Sequence, residues 1–371
     1  MPEQARILRF PSRPSIRRST GDTFAAAEAY LSRDENQKQA GTDSIFSDLD
    51  LLLAICGLLK ERGNSDPAGV FAESTRIFGW LSRQEKSLGY FDERDYFLGE
   101  SALLAGSACR VLGNRAETEL WLDRADASFR HTINPTPSLS RVAYVRLSLR
   151  YDMRRHEEVL ELLPSVALTF EKLGMYAELA KCRFLQAMSL KELGRYVEAS
   201  RELESLTAGP EFQSEPAVRG MALIHLGNLK SEAGDQEEAL RKYRAAQPLL
   251  EAGERHAGLA DLKVMVGETL VRLGQIEAAI DAYREAVADS GRLGMVTRTA
   301  YFRIVLSEVL LGAGRAREAE WELLAALPTI NEQKMVPEGF AAVALLQQSI
   351  KLRKTDPAAL AELRKYLQAG N

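Results

Sequence analysis

Small and apolar positions return along this chain with a long period, and charged residues fill the gaps between them. From Gly234 the chain places Ala239 five residues on, Tyr243 nine on and Ala246 twelve on, while Glu237, Glu238, Arg241 and Lys242 lie between. These offsets bring the small and aromatic residues onto one face of a helix and turn most of the charges away from it. The glycine supplies a turn that a side chain would strain. With the turn residue as origin, the series runs Gly113, Met153, Gly194, Gly234, Gly274, Gly314 and Lys354, at intervals of 40 or 41. Seven positions earlier stand Gly106, Arg146, Ala187, Gly227, Gly267, Ser307 and Gln347. Five positions later stand Thr118, Glu158, Ala199, Ala239, Ala279, Ala319 and Ala359, and nine later Leu122, Leu162, Leu203, Tyr243, Tyr283, Leu323 and Leu363. Each unit reads as helix, tight turn, helix, with small residues where the two helices cross. The unit about Met153 lacks the glycine and carries Arg146 and Glu158 at small positions, so it reads as degenerate.

At these residues the chain resembles the tetratricopeptide repeat family, whose pattern is a Leu-Gly in the first helix, then Ala, an aromatic and Ala in the second. Leu226-Gly227, Ala239, Tyr243 and Ala246 carry that pattern, as do Gly267, Ala279, Tyr283 and Ala286. The period exceeds the family's usual value of about 34, so the resemblance is to its long-period members. It covers roughly residues 90–369. It implies an all-α fold, a right-handed α-solenoid of antiparallel helix pairs in a superhelix whose first helices line a concave face.

The pattern divides the chain into a basic tail over 1–22, a short helix and linker over 23–41, and an N-terminal helical pair over 42–89. Six repeats follow over 90–334, then a capping pair over 335–371. Asp66-Pro67 and Asp356-Pro357 each supply an N-cap and a first-turn proline at the two outer pairs. Breakers at Asn134-Pro135, Gly174, Gly209-Pro210, Gly253, Gly294 and Pro337 fall midway between the internal turns.

Composition narrows the function classes. The 371 residues include 27% charged and 46% hydrophobic ones, with a net charge of −4. That balance argues against a general nucleic-acid or membrane-surface protein. The exception is the tail, where Arg6, Arg9, Arg13, Arg17 and Arg18 offer at most a weak docking arm. Cys56, Cys109 and Cys182 sit in apolar helical patterns without paired spacing and read as buried free thiols of a reducing compartment. No apolar run precedes Phe24 as a signal peptide would, and Leu51–Leu59 is too short to span a bilayer, so a cytoplasmic protein is expected.

The motifs closest to catalytic or metal chemistry are incomplete. His156-Glu157-Glu158-Val159-Leu160 has Leu160 where a zinc helix needs its second histidine. Gly312-Ala313-Gly314 begins like a dinucleotide loop, but it lacks the third glycine and a preceding strand, and the repeat explains it as a turn. The expectation is therefore no catalysis, no metal and no cofactor.

Function then falls to the face that the resemblance assigns to the groove, formed by residues 13, 10, 6 and 3 before each turn. The candidates are Arg110, Arg150, Lys181, Phe184, Met188, Lys191, Met221, Ile224, Asn228, Glu268, Tyr301 and Glu308. They read as a basic half, an apolar middle and an acidic half. The family's clamp for a C-terminal carboxylate pairs Lys and Asn in neighbouring units, and Asn228 alone fits it. The expected function is a non-catalytic scaffold binding a peptide or partner protein. The alternative is a peptide- or effector-sensing module that controls a transcription or signalling partner.

Overall fold

A computed structural model describes residues 20–34, 37–38, 45–63, 65–83, 91–253 and 255–353. The basic tail up to residue 19, half of the linker, and the second helix expected of the capping pair lie outside the described residues. The chain divides into two compact units, Met1–Arg195 and Tyr196–Asn371.

The first unit contains α1 (Thr20–Leu31), α2 (Leu49–Arg62), α3 (Pro67–Arg83), α4 (Phe91–Val111), α5 (Arg115–Phe129), α6 (Thr136–Asp152), α7 (His156–Lys172) and α8 (Tyr176–Glu192). The second contains α9 (Tyr196–Ala208), a 3-10 turn at Pro210–Phe212, α10 (Pro216–Glu232), α11 (Gln236–Ala252), α12 (His256–Arg272), α13 (Ile276–Arg292), α14 (Val296–Gly312), α15 (Ala316–Glu332) and α16 (Val336–Arg353). All regular structure among the described residues is helical. Within each unit, consecutive helices pack antiparallel. The contacts beyond them join successive first helices, α4 with α6, α6 with α8 and α14 with α16, and join α2 to α4.

The long period has a local cause. Helices α6, α7, α8 and α10 to α15 each have 17 residues. Three-residue turns such as Leu193-Gly194-Arg195 and Leu273-Gly274-Gln275 separate them, so each helix with its turn takes twenty residues and each pair forty. The middle residue of the turn is left-handed, with φ of 80° at Gly113, 74° at Gly194, 88° at Gly234, 72° at Gly274 and 74° at Gly314. Its N–H donates to the carbonyl three residues back, and the next N–H donates five back, as Gly194 does to Lys191 and Arg195 to Leu190. This pair of bonds satisfies carbonyls that the helix end would leave open.

The unit about Met153 is corrected by this geometry. Its left-handed residue is Arg154, with φ of 60°, and its N–H donates to the Tyr151 carbonyl while that of Arg155 donates to Arg150. The register therefore moves by one. Leu147, Val159 and Leu163 take the three packing positions, all buried. Arg146 instead pairs with Glu119 at 2.8 Å and Asp123 at 2.7 Å, and Leu162 is 44% exposed. The unit has lost its glycine and kept its packing.

The small residues seven before the turn have a measurable cause. A Cβ at Gly227 would stand 2.4 Å from Tyr243 Cε1, and one at Gly267 would stand 2.8 Å from Tyr283 Cζ. The tyrosine ring thus lies directly on the backbone of the facing helix. Where leucine replaces it, a side chain fits, as Ser307 does opposite the fully buried Leu323.

At the N-terminal end, Ala27 and Tyr30 of α1 are buried with Phe46, Leu52 and Ile55, so α1 belongs to the core of the first unit. Phe46 meets the rings of Tyr30 and Trp80 edge-on at 5.8 and 5.7 Å. Asp66 caps α3 through Gly69 N–H at 2.9 Å. The three cysteines are buried and free. Burial raises the thiol of Cys109 to about 11 and that of Cys182 to about 12, which suits packing rather than reaction.

Candidate functional site

The first helices carry the candidate side chains. In the first unit the row 13 before the turn reads Glu100, Arg141 and Lys181 once the register is corrected. Arg141 donates two hydrogen bonds to Glu100 at 2.7 and 2.8 Å across neighbouring first helices. Burial alone would raise the Glu100 carboxyl, but the Arg141 charge and its hydrogen bonds outweigh it and the net direction is down. Lys60 of α2 reaches the same surface, 3.9 Å from the buried Glu178 of α8. Burial, then the charges of Arg141 and Lys181, lower the Lys60 ammonium.

Of the predicted basic residues, Arg110 is committed to Asp152 at 2.6 Å. Arg150 lies one position off the row, 3.6 Å from Glu158, and Tyr151 takes its expected place. Lys181 and Lys191 remain half-buried on α8 and, among the described residues, have no ion-pair partner. Phe184 between them is half-buried, while Met188 is only 8% exposed.

In the second unit, Met221 packs against the cluster that buries Ile224, itself 5% exposed. Asn228 accepts a 2.6 Å hydrogen bond from the Tyr243 hydroxyl, so it braces the helix crossing. Glu268, Tyr301 and Glu308 reach solvent, Tyr301 at 44% exposure. Desolvation raises the Glu268 carboxyl against the opposing charge of Arg272. Burial raises the Tyr301 hydroxyl, as do the charges of Glu268, Glu338 and Glu308. Asp261, on the same face, pairs with Arg298 at 2.9 Å.

Sequence reasoning missed Arg141, Tyr144 and Tyr151 because the unit without a glycine was set one residue early. Counting back forty from Gly194 gives Arg154 and would have found them. It also missed Lys60, whose approach to Glu178 is a tertiary contact with no local pattern.

A separate concavity of about 490 Å³ lies between α13, α14 and α15, lined by Arg284, Arg292, Arg303 and the 64% exposed Trp321. Each arginine there is paired: Arg284 with Glu318, Arg292 with Asp289 and Arg303 with Glu322. That pairing leaves little net charge for a ligand. The Gly312–Gly314 stretch is an interhelical turn, as read from the sequence. His156 is buried against the Tyr151 ring at 5.0 Å.

This geometry defines an all-α helical-repeat solenoid with tetratricopeptide-like repeats. No family model matches the sequence, and no curated protein matches it. Solved structures do. A signal transduction ATPase with numerous domains and a tetratricopeptide repeat sensor, from Pyrococcus horikoshii, matches with a TM-score of 0.60 at 12% identity, over 94% of this chain and 53% of that one. The apo quorum sensor NprR from B. thuringiensis matches with a TM-score of 0.54 at 13% identity, over 95% and 98%. A Rap protein complexed with competence and sporulation factor matches with a TM-score of 0.53 at 15% identity, over 93% and 99%. At such identities the likeness establishes the fold. Among the described residues no helix is long and apolar enough to cross a membrane.

Proposed function

We propose that this chain is a non-catalytic module that binds a peptide or a partner protein on the exposed faces of its first helices, built from a long-period form of the tetratricopeptide repeat. One observation carries the reading: the rows that pack the repeats together leave Glu268, Tyr301 and Glu308 exposed and Lys181 and Lys191 half-exposed, on the first helices α8, α12 and α14. An aromatic ring beside charges supplies both contact area and orientation. The Rap structure complexed with a factor supports the reading by analogy of fold.

Selection of peptides from a random library on the immobilised chain, followed by hydrogen exchange with and without a selected peptide, tests it. Protection should concentrate on α6, α8, α12 and α14. Protection confined to α11, α13 and α15 would place binding on the second helices and defeat the reading.

A sensing role is the second reading, favoured by the likeness of the fold to a tetratricopeptide repeat sensor and to the quorum sensor NprR. In it the bound peptide changes the conformation and passes a signal to a transcription or signalling partner. Small-angle scattering separates the two. A shift on peptide binding supports sensing, and an unchanged profile supports the scaffold.

A further inference from the structure

We infer that α8 presents a two-point receptor for an acidic extended peptide, with Lys181 and Lys191 as its anchors. This rests on the peptide-binding reading above and names the chemistry of the ligand in the first unit.

On the first helices of this unit Arg94, Arg110, Arg141, Arg146 and Arg150 each have a carboxylate partner. So does Lys60 beside them. Lys181 and Lys191 are the lysines of α8, and among the described residues neither has such a partner, although the chain as a whole carries an acidic excess. Both are half-buried, so part of the hydration of each stem is already lost. The nearest acid on the face, Glu178, is buried and engaged by Lys60.

Geometry then sets the ligand. Ten residues of helix separate the two lysines by ~15 Å along the axis, and a hundred degrees per residue leaves them about 80° apart around it. The half-buried Phe184 lies between them on the same face. An extended peptide advances roughly 3.3 Å per residue with alternate side chains on opposite sides. Its residues i and i+4 therefore point the same way about 13 Å apart, a span that two flexible lysine stems bridge. Residue i+2, pointing the same way, meets Phe184. The predicted ligand is thus a segment with Asp or Glu at i and i+4 and an apolar residue at i+2. A nucleic acid suits the site less well, because a single strand carries a charge about every 3.4 Å and two separated lysines would leave most of those charges unmatched.

The test compares random peptide libraries selected on the full chain and on the Lys181→Gln/Lys191→Gln double variant. Selected peptides should carry the acidic pair at the stated spacing. A selected peptide should bind the double variant about thirtyfold more weakly, as two partly desolvated pairs at the upper end of the exposed range would give. Replacing either peptide acid by its amide should weaken binding, and so should salt. An Arg241→Gln/Lys242→Gln variant on α11 should bind within about twofold of the parent.

Peptides selected without acidic enrichment, or bound equally by the lysine variant, would overturn the acidic assignment and leave peptide binding standing. Tighter binding of a single-stranded oligonucleotide through the same lysines would overturn it in favour of nucleic acid. Failure to select any peptide would defeat both readings.

Discussion

Arg154 sits where seven other turns among the described residues place glycine, and its φ of 60° puts a Cβ into the left-handed region. That conformation costs an L-residue about 1–2 kcal/mol. Arg154→Gly relieves it at the expense of greater freedom in the unfolded chain, so the variant should melt no lower than the parent. Gly234→Ala, at a φ of 88°, should lose about 1 kcal/mol with nothing gained in contacts. Thermal melts of the two variants check both signs. Position 154 also marks the limit of sequence reading at this scale. Every glycine turn was legible because glycine announces left-handed backbone, whereas an arginine in the same conformation announces nothing.

Between helices, the pairing of Gly227 with Tyr243 was visible as a pattern, but its cause was not. The sequence shows a glycine and an aromatic sixteen residues apart; the structure shows the ring lying on the glycine backbone. Gly227→Ala should therefore destabilise by about 1–3 kcal/mol through overpacking. The Tyr243→Leu exchange makes room for that methyl and also removes the hydrogen bond to Asn228. In the double variant the two changes should cost less than their sum, because neighbours at one crossing are coupled. Denaturant melts of the four proteins supply the cycle, and strict additivity would mean that ring and backbone do not in fact press on each other. Met188 and Ile224 show the reverse difficulty. They stand in the row assigned to the groove, yet their bulk is used between helices, since apolar residues serve packing and recognition alike and periodicity cannot tell the two apart.

At the scale of the molecule, the helical-repeat fold and the positions of most helices followed from the sequence. The pairing of charges on the proposed binding face was not legible, because it depends on contacts between repeats, as with Arg110 and Asp152 forty-two positions apart. Arg141 and Glu100 form a buried link of this kind, with two hydrogen bonds between neighbouring first helices. Removing one partner of a buried pair leaves the other unmatched, so Arg141→Ala should lose about 3–5 kcal/mol. Because the Glu100 carboxyl is lowered on folding, its contribution is complete above its unfolded value of about 4.3 and is lost as the pH falls through the folded value. Urea melts at a series of acidic pH values should show a shallower acid decline for Glu100→Gln than for the parent.

The regular alternation of seventeen helical residues with a three-residue turn has a consequence for inheritance. A segment of forty residues leaves the ladder of turns in the same phase in which it entered, so losing or doubling one gives every remaining helix a neighbour of its former kind. The residues at the crossings recur at that step, as Ala239, Ala279 and Ala319 do. A change of twenty would instead set first helices against first helices and place a tyrosine ring where no glycine waits for it. Descendants of this gene can therefore differ in length by whole pairs while keeping one interior.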